Sequence, residues 1–301
     1  MYPSEFEYHR AASIKEAIGL IQQYGDDAKL LSGGHSLLPI LKMRLAQPRH
    51  LVDIARIAEL GRIAEQGGRI VVGAAARHHQ VHTSELIWSK LGLLAECAGN
   101  IGDVQVRNRG TIGGSLGHSD PAADYPAAVL ALEGEVRLEG PSGVRSVKAA
   151  DFFVDLMTTA IQPGEILTAV SFAPLPAAAG YAYLKHRQPA SGFAMVGVAA
   201  LLTLDQGGKC QARASELPAS ARRRFAPRRS SARSTARHPT AKRWRMRPYM
   251  RLTASIRWAT FMPHQIFAPN SRAFTRGARS KPQPRERCAD RKPVNPGKPE
   301  K

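Results

Sequence analysis

The residues of this sequence best suited to chemistry lie in a glycine- and hydroxyl-rich stretch, RGTIGGSLGHSDPAAD at residues 109–124. Gly113 and Gly114 are predicted to adopt positive φ, which brings the main chain close to a ligand because no Cβ stands in the way. Successive N–H groups in such a turn form an anion-binding concavity, and Thr111 and Ser115 add hydroxyl donors. By itself, the stretch is equally consistent with an ordinary surface turn.

A second stretch of the same kind, KLLSGGHSLLP at residues 29–39, strengthens the ligand-binding interpretation. It predicts a short buried strand, a turn at Gly33 and Gly34, and the start of a helix. Neither stretch has the G-x-G-x-x-G spacing of dinucleotide-binding loops or the lysine of a P-loop. Two hydroxyl-flanked Gly-Gly turns, about 80 residues apart, suit a ligand with a long phosphate bridge, such as FAD.

Paired in this order, the two stretches resemble the two flavin-binding segments of the molybdenum-hydroxylase flavoproteins, the FAD-binding medium subunits of the carbon-monoxide dehydrogenase and xanthine dehydrogenase family. The motifs KMR and LVDI follow the first stretch, and QVRNR overlaps the start of the second. The resemblance covers residues 1–209. It implies an α+β, two-lobed FAD-binding fold of the PCMH type, with FAD extended between lobe 1 (residues 1–56) and lobe 2 (residues 57–175).

The resemblance also implies a set of cofactor-binding residues. Main-chain N–H groups of residues 32–36 and 111–115 would bind the FAD pyrophosphate, and Asp124 would accept a hydrogen bond from the adenosine ribose. Ile101 and Leu167 would pack on the flavin. The implied set is Ser32, Gly33, Gly34, His35, Ser36, Ile101, Thr111, Ile112, Gly113, Gly114, Ser115, Asp124, Leu167 and Lys185.

Lys185 would lie near the isoalloxazine ring, where a cation stabilises the anionic reduced flavin, and Phe193 stands where some relatives have a tyrosine. From the residues alone, a plainer role remains open for several members of the set. His35, Ser36 and Asp124 also suit the start of a helix. The two apolar residues suit an ordinary core, and Lys185 suits a solvent-exposed surface.

No arrangement of Ser, Cys, His and Asp typical of acid–base or nucleophilic catalysis is found. This fits a protein whose chemistry is carried by a cofactor. The resemblance implies that substrate is hydroxylated at a molybdopterin centre in a large partner subunit, within an assembly of the heterohexamer type. Electrons would pass through iron–sulfur clusters of a small partner subunit to FAD on this chain, and on to NAD, a quinone or oxygen. A flavin oxidoreductase of the UDP-sugar reductase type is an alternative, although it would need a catalytic acid and a substrate domain of its own.

This chain is not expected to hold a metal itself. The three cysteines have no paired spacing and indicate a reduced protein without a disulfide framework. His78, His79 and His82 lack a carboxylate or cysteine at ligand spacing and predict a solvated turn. The N-terminus has no signal-peptide pattern, and the longest apolar run is too short to span a bilayer, so a cytoplasmic protein is expected.

Charge divides the chain near residue 210. The net charge of the 301 residues is +19, yet residues 1–209 hold 19 Lys and Arg against 20 Asp and Glu. Residues 210–301 therefore hold 24 basic and 4 acidic residues, with many Pro and Ser and few aliphatic residues. They predict a disordered basic tail, or an out-of-frame reading of the gene, in place of the family's usual C-terminal α+β domain. A nucleic-acid-associated protein acting through this tail is the alternative from another functional class, although the near-neutral remainder does not favour it.

The elements that must position the site follow from the hydrophobic pattern. A β-α-β-α-β lobe with a helix capped by Ser13 is expected up to residue 56, and residues 176–209 are expected to begin the C-terminal domain. The last strand of that segment is so apolar that burial on both faces is expected. The predicted strands are 6–9, 28–31, 51–54, 62–65, 69–74, 135–139, 144–147, 166–172, 181–187 and 194–204, and the predicted helices after the first are 37–43, 81–87, 91–98 and 122–132.

Overall fold

The computed structural model describes residues 2–177, 179–204 and 210–218, so the expected tail beyond residue 218 lies outside the described part of the chain. Within that part, every helix is too short or too polar to cross a lipid bilayer. The strands form a three-stranded parallel sheet, a five-stranded antiparallel sheet, a three-stranded antiparallel sheet and a short two-stranded pair.

The first lobe alternates strands and helices. Its strands run parallel, and the last of them in sequence lies between the other two. Ser13 begins the first helix by accepting a hydrogen bond from the N–H of Glu16, as predicted. The predicted β-α-β-α-β order is confirmed. The elements are β1 (Glu7–Arg10), α1 (Ile14–Tyr24), β2 (Ala28–Leu31), α2 (Leu37–Lys42) and β3 (His50–Asp53).

The second lobe is built on the antiparallel sheet, with helices inserted between its second and third strands in sequence. Its first two strands form the predicted hairpin, which turns at Gly67 and Gly68 with positive φ at both residues. The elements are β4 (Ile63–Gln66), β5 (Arg69–Gly73), α3 (His78–Thr83), α4 (Glu85–Lys90), α5 (Gly92–Gly99), α6 (Val104–Arg109), α7 (Ile112–His118), α8 (Tyr125–Ala131), β6 (Glu135–Gly140), β7 (Gly143–Lys148), α9 (Ala149–Phe152), β8 (Phe153–Asp155), β9 (Thr158–Thr159) and β10 (Ile166–Phe172). Because β10 pairs with both β5 and β6, the sheet order is β4-β5-β10-β6-β7.

The third sheet consists of β11 (Gly180–Arg187), β12 (Ala194–Leu204) and β13 (Cys210–Pro218) in that order. Two expectations are wrong here. The strand β13 lies beyond the expected boundary at residue 209, so regular structure extends into the start of the predicted tail. The strand β12 buries alternate residues such as Ala199 and Leu201, whereas Met195 is 46% exposed. It therefore packs one face on the core, as antiparallel strands commonly do.

The main hydrophobic core joins the antiparallel sheet of the second lobe to α5, α7 and α8 and to the buried face of β12. Leu93, Leu94, Tyr125 and Phe172 are fully buried in it. Helices α5 and α8 are apolar nearly all round, which is typical of helices with no solvent-facing side. Because α5 and α8 are buried, they hold in place the chain that leads to α6 and α7 and the chain that follows α7.

Two helical predictions need correction. The helix predicted over residues 81–87 is divided at Ser84, which ends α3 and caps α4 by accepting a hydrogen bond from the N–H of Ile87. The glycine-rich stretch predicted as a turn contains the whole of α7, and Gly113 and Gly114 lie in its first turn. The prediction of positive φ at these two glycines is therefore wrong.

Gly113 is required by packing instead. A Cβ on Gly113 would lie 2.5 Å from the Cβ and 2.7 Å from the main-chain oxygen of Ala74, and the Gly113 N–H donates to that oxygen at 2.8 Å. The first turn of α7 thus rests directly on the main chain after β5. Gly117 in the same helix has open space around it, because a Cβ there would meet only Ile161 Cδ1, at 3.8 Å.

We expect Gly113→Ala and Gly117→Ala to have opposite effects on stability, although both place an alanine in α7. The first change forces α7 away from Ala74 and should lower the free energy of unfolding by about 2 kcal/mol. The second adds helix propensity and should raise it by up to about 1 kcal/mol. Urea denaturation measures both changes, and equal stability of the two variants would contradict the close packing of α7 on Ala74.

Candidate functional site

The two glycine-rich stretches meet in the structure. A Cβ on Gly33 would lie 2.5 Å from the main-chain oxygen of Arg109 and 2.8 Å from Cα of Gly110. Only glycine therefore lets the main chain of the first lobe approach that of the second so closely. The hydroxyls of Ser32 and Thr111 are 3.0 Å apart and share a hydrogen bond across the same contact.

A cleft of about 570 Å³ opens beside this contact, and both lobes line it. Its volume is within the range of clefts that hold small-molecule cofactors. Thr111 and Ile112 are buried and, like Lys185, are absent from the lining. The predicted residues that do line the cleft are Ser32, Gly33, Gly34, His35, Ser36, Ile101, Gly113, Gly114, Ser115, Asp124 and Leu167.

The first stretch presents unused main-chain donors to the cleft. Within the described part of the chain, the N–H groups of residues 33–36 donate to no main-chain or side-chain oxygen. Gly34 has a φ of 78°, which turns the chain between β2 and α2. Unpaired N–H groups at a bend of this kind form an anion-binding concavity. This part of the cleft therefore suits a phosphate group.

The second stretch is different, because its amides are already used inside the protein. The N–H groups of residues 112 and 113 donate to the main-chain oxygens of Ala76 and Ala74, and those of residues 114 and 115 donate to the side-chain and main-chain oxygens of Thr111. Gly113, Gly114 and Ser115 line the cleft, but the N–H groups of residues 112–115, which the resemblance assigns to the pyrophosphate, hold α7 in place instead.

Asp124 and Lys185 form a buried ion pair. The Lys185 Nζ donates to Oδ2 of Asp124 at 2.9 Å and to the main-chain oxygen of Asn100 at 3.1 Å, and the Tyr183 hydroxyl donates to Oδ1 of Asp124 at 2.5 Å. The side chain of Lys185 is 1% exposed and that of Asp124 is 5% exposed. Burial raises the pKa of Asp124, and the hydrogen bonds from Tyr183 and Lys185 offset part of that rise. The charge of Lys185 is thus compensated within the protein.

The structure argues against one of the two roles considered for Asp124, the capping of a helix. Asp124 occupies the N-cap position of α8, but its side chain makes no capping hydrogen bond to that helix. Its carboxylate is directed instead to β11, where Tyr183 and Lys185 lie. Because Asp124 also lines the cleft, the network reaches from the cleft wall into the core.

The connection between β11 and β12 adds lining residues that the hydrophobic pattern did not reveal. Ser191, Gly192 and Phe193 line the cleft, and Phe193 is 49% exposed. Gly192 has a φ of 70°, and Gln188 Oε1 accepts hydrogen bonds from the N–H groups of the two residues before Gly192. The signal in the sequence was a glycine next to an aromatic residue between two strands, which predicts a turn but not its position at the cleft.

His78 is a buried titratable residue of the cleft lining. Its ring packs against the edge of Tyr125 with 5.2 Å between the ring centroids, and its Nδ1 has no hydrogen-bond partner among the described residues. Burial lowers the pKa of His78 to about 3, with smaller contributions from the nearby charges of His35 and Arg107. The imidazole is therefore neutral at physiological pH.

The three neighbouring histidines have separate surroundings. His78 faces the cleft, His79 is exposed, and His82 places Nδ1 3.1 Å from the main-chain oxygen of Ala95. The expectation of a solvated turn is wrong for His78, because it begins helix α3 with its side chain buried.

Comparison with protein families places most of the described chain in one of them. The family described as "FAD binding domain in molybdopterin dehydrogenase" matches residues 4–176. The carbon monoxide dehydrogenase medium chain of Hydrogenophaga pseudoflava is 44% identical over 202 residues, which are 67% of this chain and 70% of the relative. The 6-hydroxypseudooxynicotine dehydrogenase complex subunit alpha of Paenarthrobacter nicotinovorans is 39% identical over 210 residues, 70% of this chain and 71% of the relative.

Solved structures give the same result. Carbon monoxide dehydrogenase from Hydrogenophaga pseudoflava, in a form that lacks the Mo-pyranopterin moiety of its cofactor, matches with a TM-score of 0.70 and 43% identity over 72% of this chain and 76% of that chain. Quinoline 2-oxidoreductase from Pseudomonas putida matches with a TM-score of 0.67 and 34% identity over 72% and 75% of the two chains. The expected two-lobed FAD-binding fold is confirmed.

The buried His78 makes stability depend on pH in a defined direction. Its pKa is lowered on folding, so the unfolded chain binds a proton more readily, and stability is full above pH 6.5 and falls as the pH falls toward 3. His78 should account for a decrease of about 2 kcal/mol in the free energy of unfolding between pH 6.5 and pH 4.5.

Urea denaturation at the two pH values tests this share. His78→Gln should have a smaller difference in unfolding free energy between them than the wild-type protein has. The matched variant His79→Gln changes an exposed neighbour and should keep the wild-type difference. An undiminished difference in His78→Gln would show that His78 is not held neutral in the folded state.

Proposed function

The chain belongs to the family of FAD-binding domains of molybdopterin dehydrogenases, and on that premise we propose that it is the electron-transfer subunit of a molybdenum hydroxylase-type dehydrogenase. In this role, it receives electrons from iron–sulfur clusters of a small partner subunit and passes them to an external small-molecule acceptor. The medium chains of carbon monoxide dehydrogenase among its relatives support this position in a multi-subunit enzyme.

The observation that carries the proposal is the row of unused N–H groups at residues 33–36, beside the contact between the lobes. A dinucleotide pyrophosphate carries negative charge and several acceptor oxygens, and it needs donors that the protein does not already use. Ser36 and Ser115 line the same cleft, and their hydroxyls can add further donors. FAD, when bound, supplies the redox chemistry.

We assign the remaining predicted residues the following roles. We propose that Ile101, which follows α5, and Leu167, which lies in β10, provide apolar contacts for the flavin, since both line the cleft. Asp124 is the acceptor proposed for the ribose. Lys185 acts through Asp124, because the ion pair and the hydrogen bond to Asn100 hold β11 against the end of α5. Thr111 and Ile112 are buried at the start of α7 and support the part of this helix that lines the cleft.

The proposed partners are a large subunit with the molybdopterin centre and a small subunit with the iron–sulfur clusters, in the cytoplasm. The supporting finding is that the relatives are named as the medium chain, or one subunit, of such complexes. The alternative of a nucleic-acid-associated protein rests on the basic residues from 210 onward, and no described residue favours it. Residues 1–209 have nearly balanced charge.

We expect Ser36→Asp to abolish or strongly weaken FAD binding without unfolding the protein. Ser36 precedes α2 and its side chain makes no capping hydrogen bond there, so α2 does not depend on the hydroxyl, whereas a carboxylate at this position would lie at the proposed pyrophosphate site. Repulsion between the like charges should weaken FAD affinity at least about tenfold. The ratio of flavin to protein absorbance in the purified protein, followed by fluorescence titration with FAD, measures the effect.

Ser13→Asp is the matched control, because it makes the same change at the N-cap of α1, away from the cleft. This variant should keep the wild-type flavin content. If Ser36→Asp bound FAD as tightly as Ser13→Asp does, the pyrophosphate site proposed at residues 33–36 would be incorrect.

The electron-transfer role predicts that the FAD-loaded chain is reduced by an iron–sulfur donor. Mixed anaerobically with a reduced [2Fe–2S] protein, it should lose its visible flavin absorbance and regain it when a quinone is added. Stopped-flow absorbance measures both steps. Flavin that is reduced by dithionite but never by the iron–sulfur protein would argue against this role.

A further inference from the structure

Three potential metal ligands gather on one face of the first-lobe sheet, where β1 and β3 begin. Strands β1 and β3 pair in parallel register with Glu7 opposite His50, and His9 lies two residues beyond Glu7 on β1. Because side chains alternate along a strand, Glu7 and His9 share one face of the sheet. The backbone pairing therefore brings Glu7, His9 and His50 together, although 41 residues separate the two histidines in the chain.

The distances among the three ligand atoms fit one metal ion. Nε2 of His9 and Nδ1 of His50 are 3.1 Å apart, and Oε2 of Glu7 lies 3.7 Å from the first atom and 3.5 Å from the second. The nearest point equidistant from three atoms with these separations lies about 2.0 Å from each, which is the length of Zn–N and Zn–O bonds. All three ligand atoms lie within 4.8 Å of one another.

The aromatic ring of Tyr24, at the end of α1, supports the arrangement. It stacks on the His50 ring with 3.7 Å between centroids and on the His9 ring with 5.0 Å. Packing thus holds the two imidazoles on the side away from solvent. The His9 side chain is 22% exposed and that of His50 is 15% exposed, whereas Glu7 is 71% exposed. Rings held in this way are pre-oriented for a ligand, and the exposed carboxylate leaves the site open to ions in solution.

We propose that Glu7, His9 and His50 bind a divalent transition-metal ion, with Zn²⁺ as the expected ion and water in the remaining position. Two imidazoles and one carboxylate are ligands that Zn²⁺ accepts readily, whereas Ca²⁺ and Mg²⁺ prefer oxygen ligands alone. The ion connects β1, the edge strand of the sheet, to the central strand β3. Its role is to stabilise the first lobe.

The site is separate from the cofactor cleft. The three residues are absent from the cleft lining. Glu7 and His50 also lie at the N-terminal ends of parallel strands, whereas the bend at residues 32–36 follows the C-terminal end of β2. Metal binding and FAD binding can therefore be measured independently of one another.

Calorimetric titration of the full-length chain with Zn²⁺ tests the proposal, using tag-free and metal-stripped protein. The wild-type chain should take up Zn²⁺ in a saturable step that adds to its thermal stability. The double variant His9→Gln and His50→Gln should lose this step. His79→Gln, which removes an exposed histidine outside the cluster, should keep it.

Glu7→Gln is the second variant, because its exposed side chain can be changed without disturbing the packing of the lobe. It should weaken Zn²⁺ binding more than about tenfold, since even residues outside the ligand shell commonly contribute 10- to 100-fold to metal affinity. Both variants should keep the wild-type FAD content, so a failure of the cofactor proposal would be seen separately. Unchanged Zn²⁺ affinity in the double variant and in Glu7→Gln, or no saturable binding by the wild type, would overturn the proposed site.

Discussion

The contact between Gly33 and the main chain at Arg109 and Gly110 is the constraint on which the rest of the structure depends. At that point, the two lobes touch through main-chain atoms, with no room for a side chain, and the hydroxyls of Ser32 and Thr111 share a hydrogen bond alongside. The cleft exists because the lobes are held together at this point and diverge beside it. A side chain at residue 33 would separate the lobes and displace the bend that presents the unused N–H groups.

The two glycine-rich stretches contribute to the cleft in different ways. The N–H groups of residues 33–36 in the first stretch have no protein partner and are available to a ligand. Those of residues 112–115 in the second stretch donate to Thr111, at the start of α7, and to the main chain after β5. Another part of the lining is held by the buried pair of Asp124 and Lys185, which connects the cleft to β11. A buried charge is tolerated when it is paired and hydrogen-bonded, and both conditions hold for this pair. The cluster of Glu7, His9 and His50 depends on a different interaction, the parallel register of β1 and β3 at the other end of the first sheet.

Much of the fold could be predicted because it is local. The predicted strands 28–31, 166–172 and 194–204 agree with the structure at both ends, and Ser13 caps α1 as expected. These features depend on residue type and on a period of two or 3.6 within a few residues, which a sequence shows directly. The likeness of the two stretches to flavin-binding segments identified the family and the cofactor, and the comparisons with relatives agree.

Only the tertiary structure decided what each residue of those stretches contacts. A Gly-Gly pair suits a bend or a crowded helix equally well, and only the structure shows a helix whose first turn packs on Ala74. Likewise, Lys185 is a surface residue or a buried one depending on where β11 lies, and His9 and His50 become neighbours only when β1 and β3 pair. The sequence by itself determined the segments and the chemistry they carry, because both depend on neighbouring residues. The folded chain determined which donors remain unused and which charges are paired, because both depend on contacts between residues far apart in the chain.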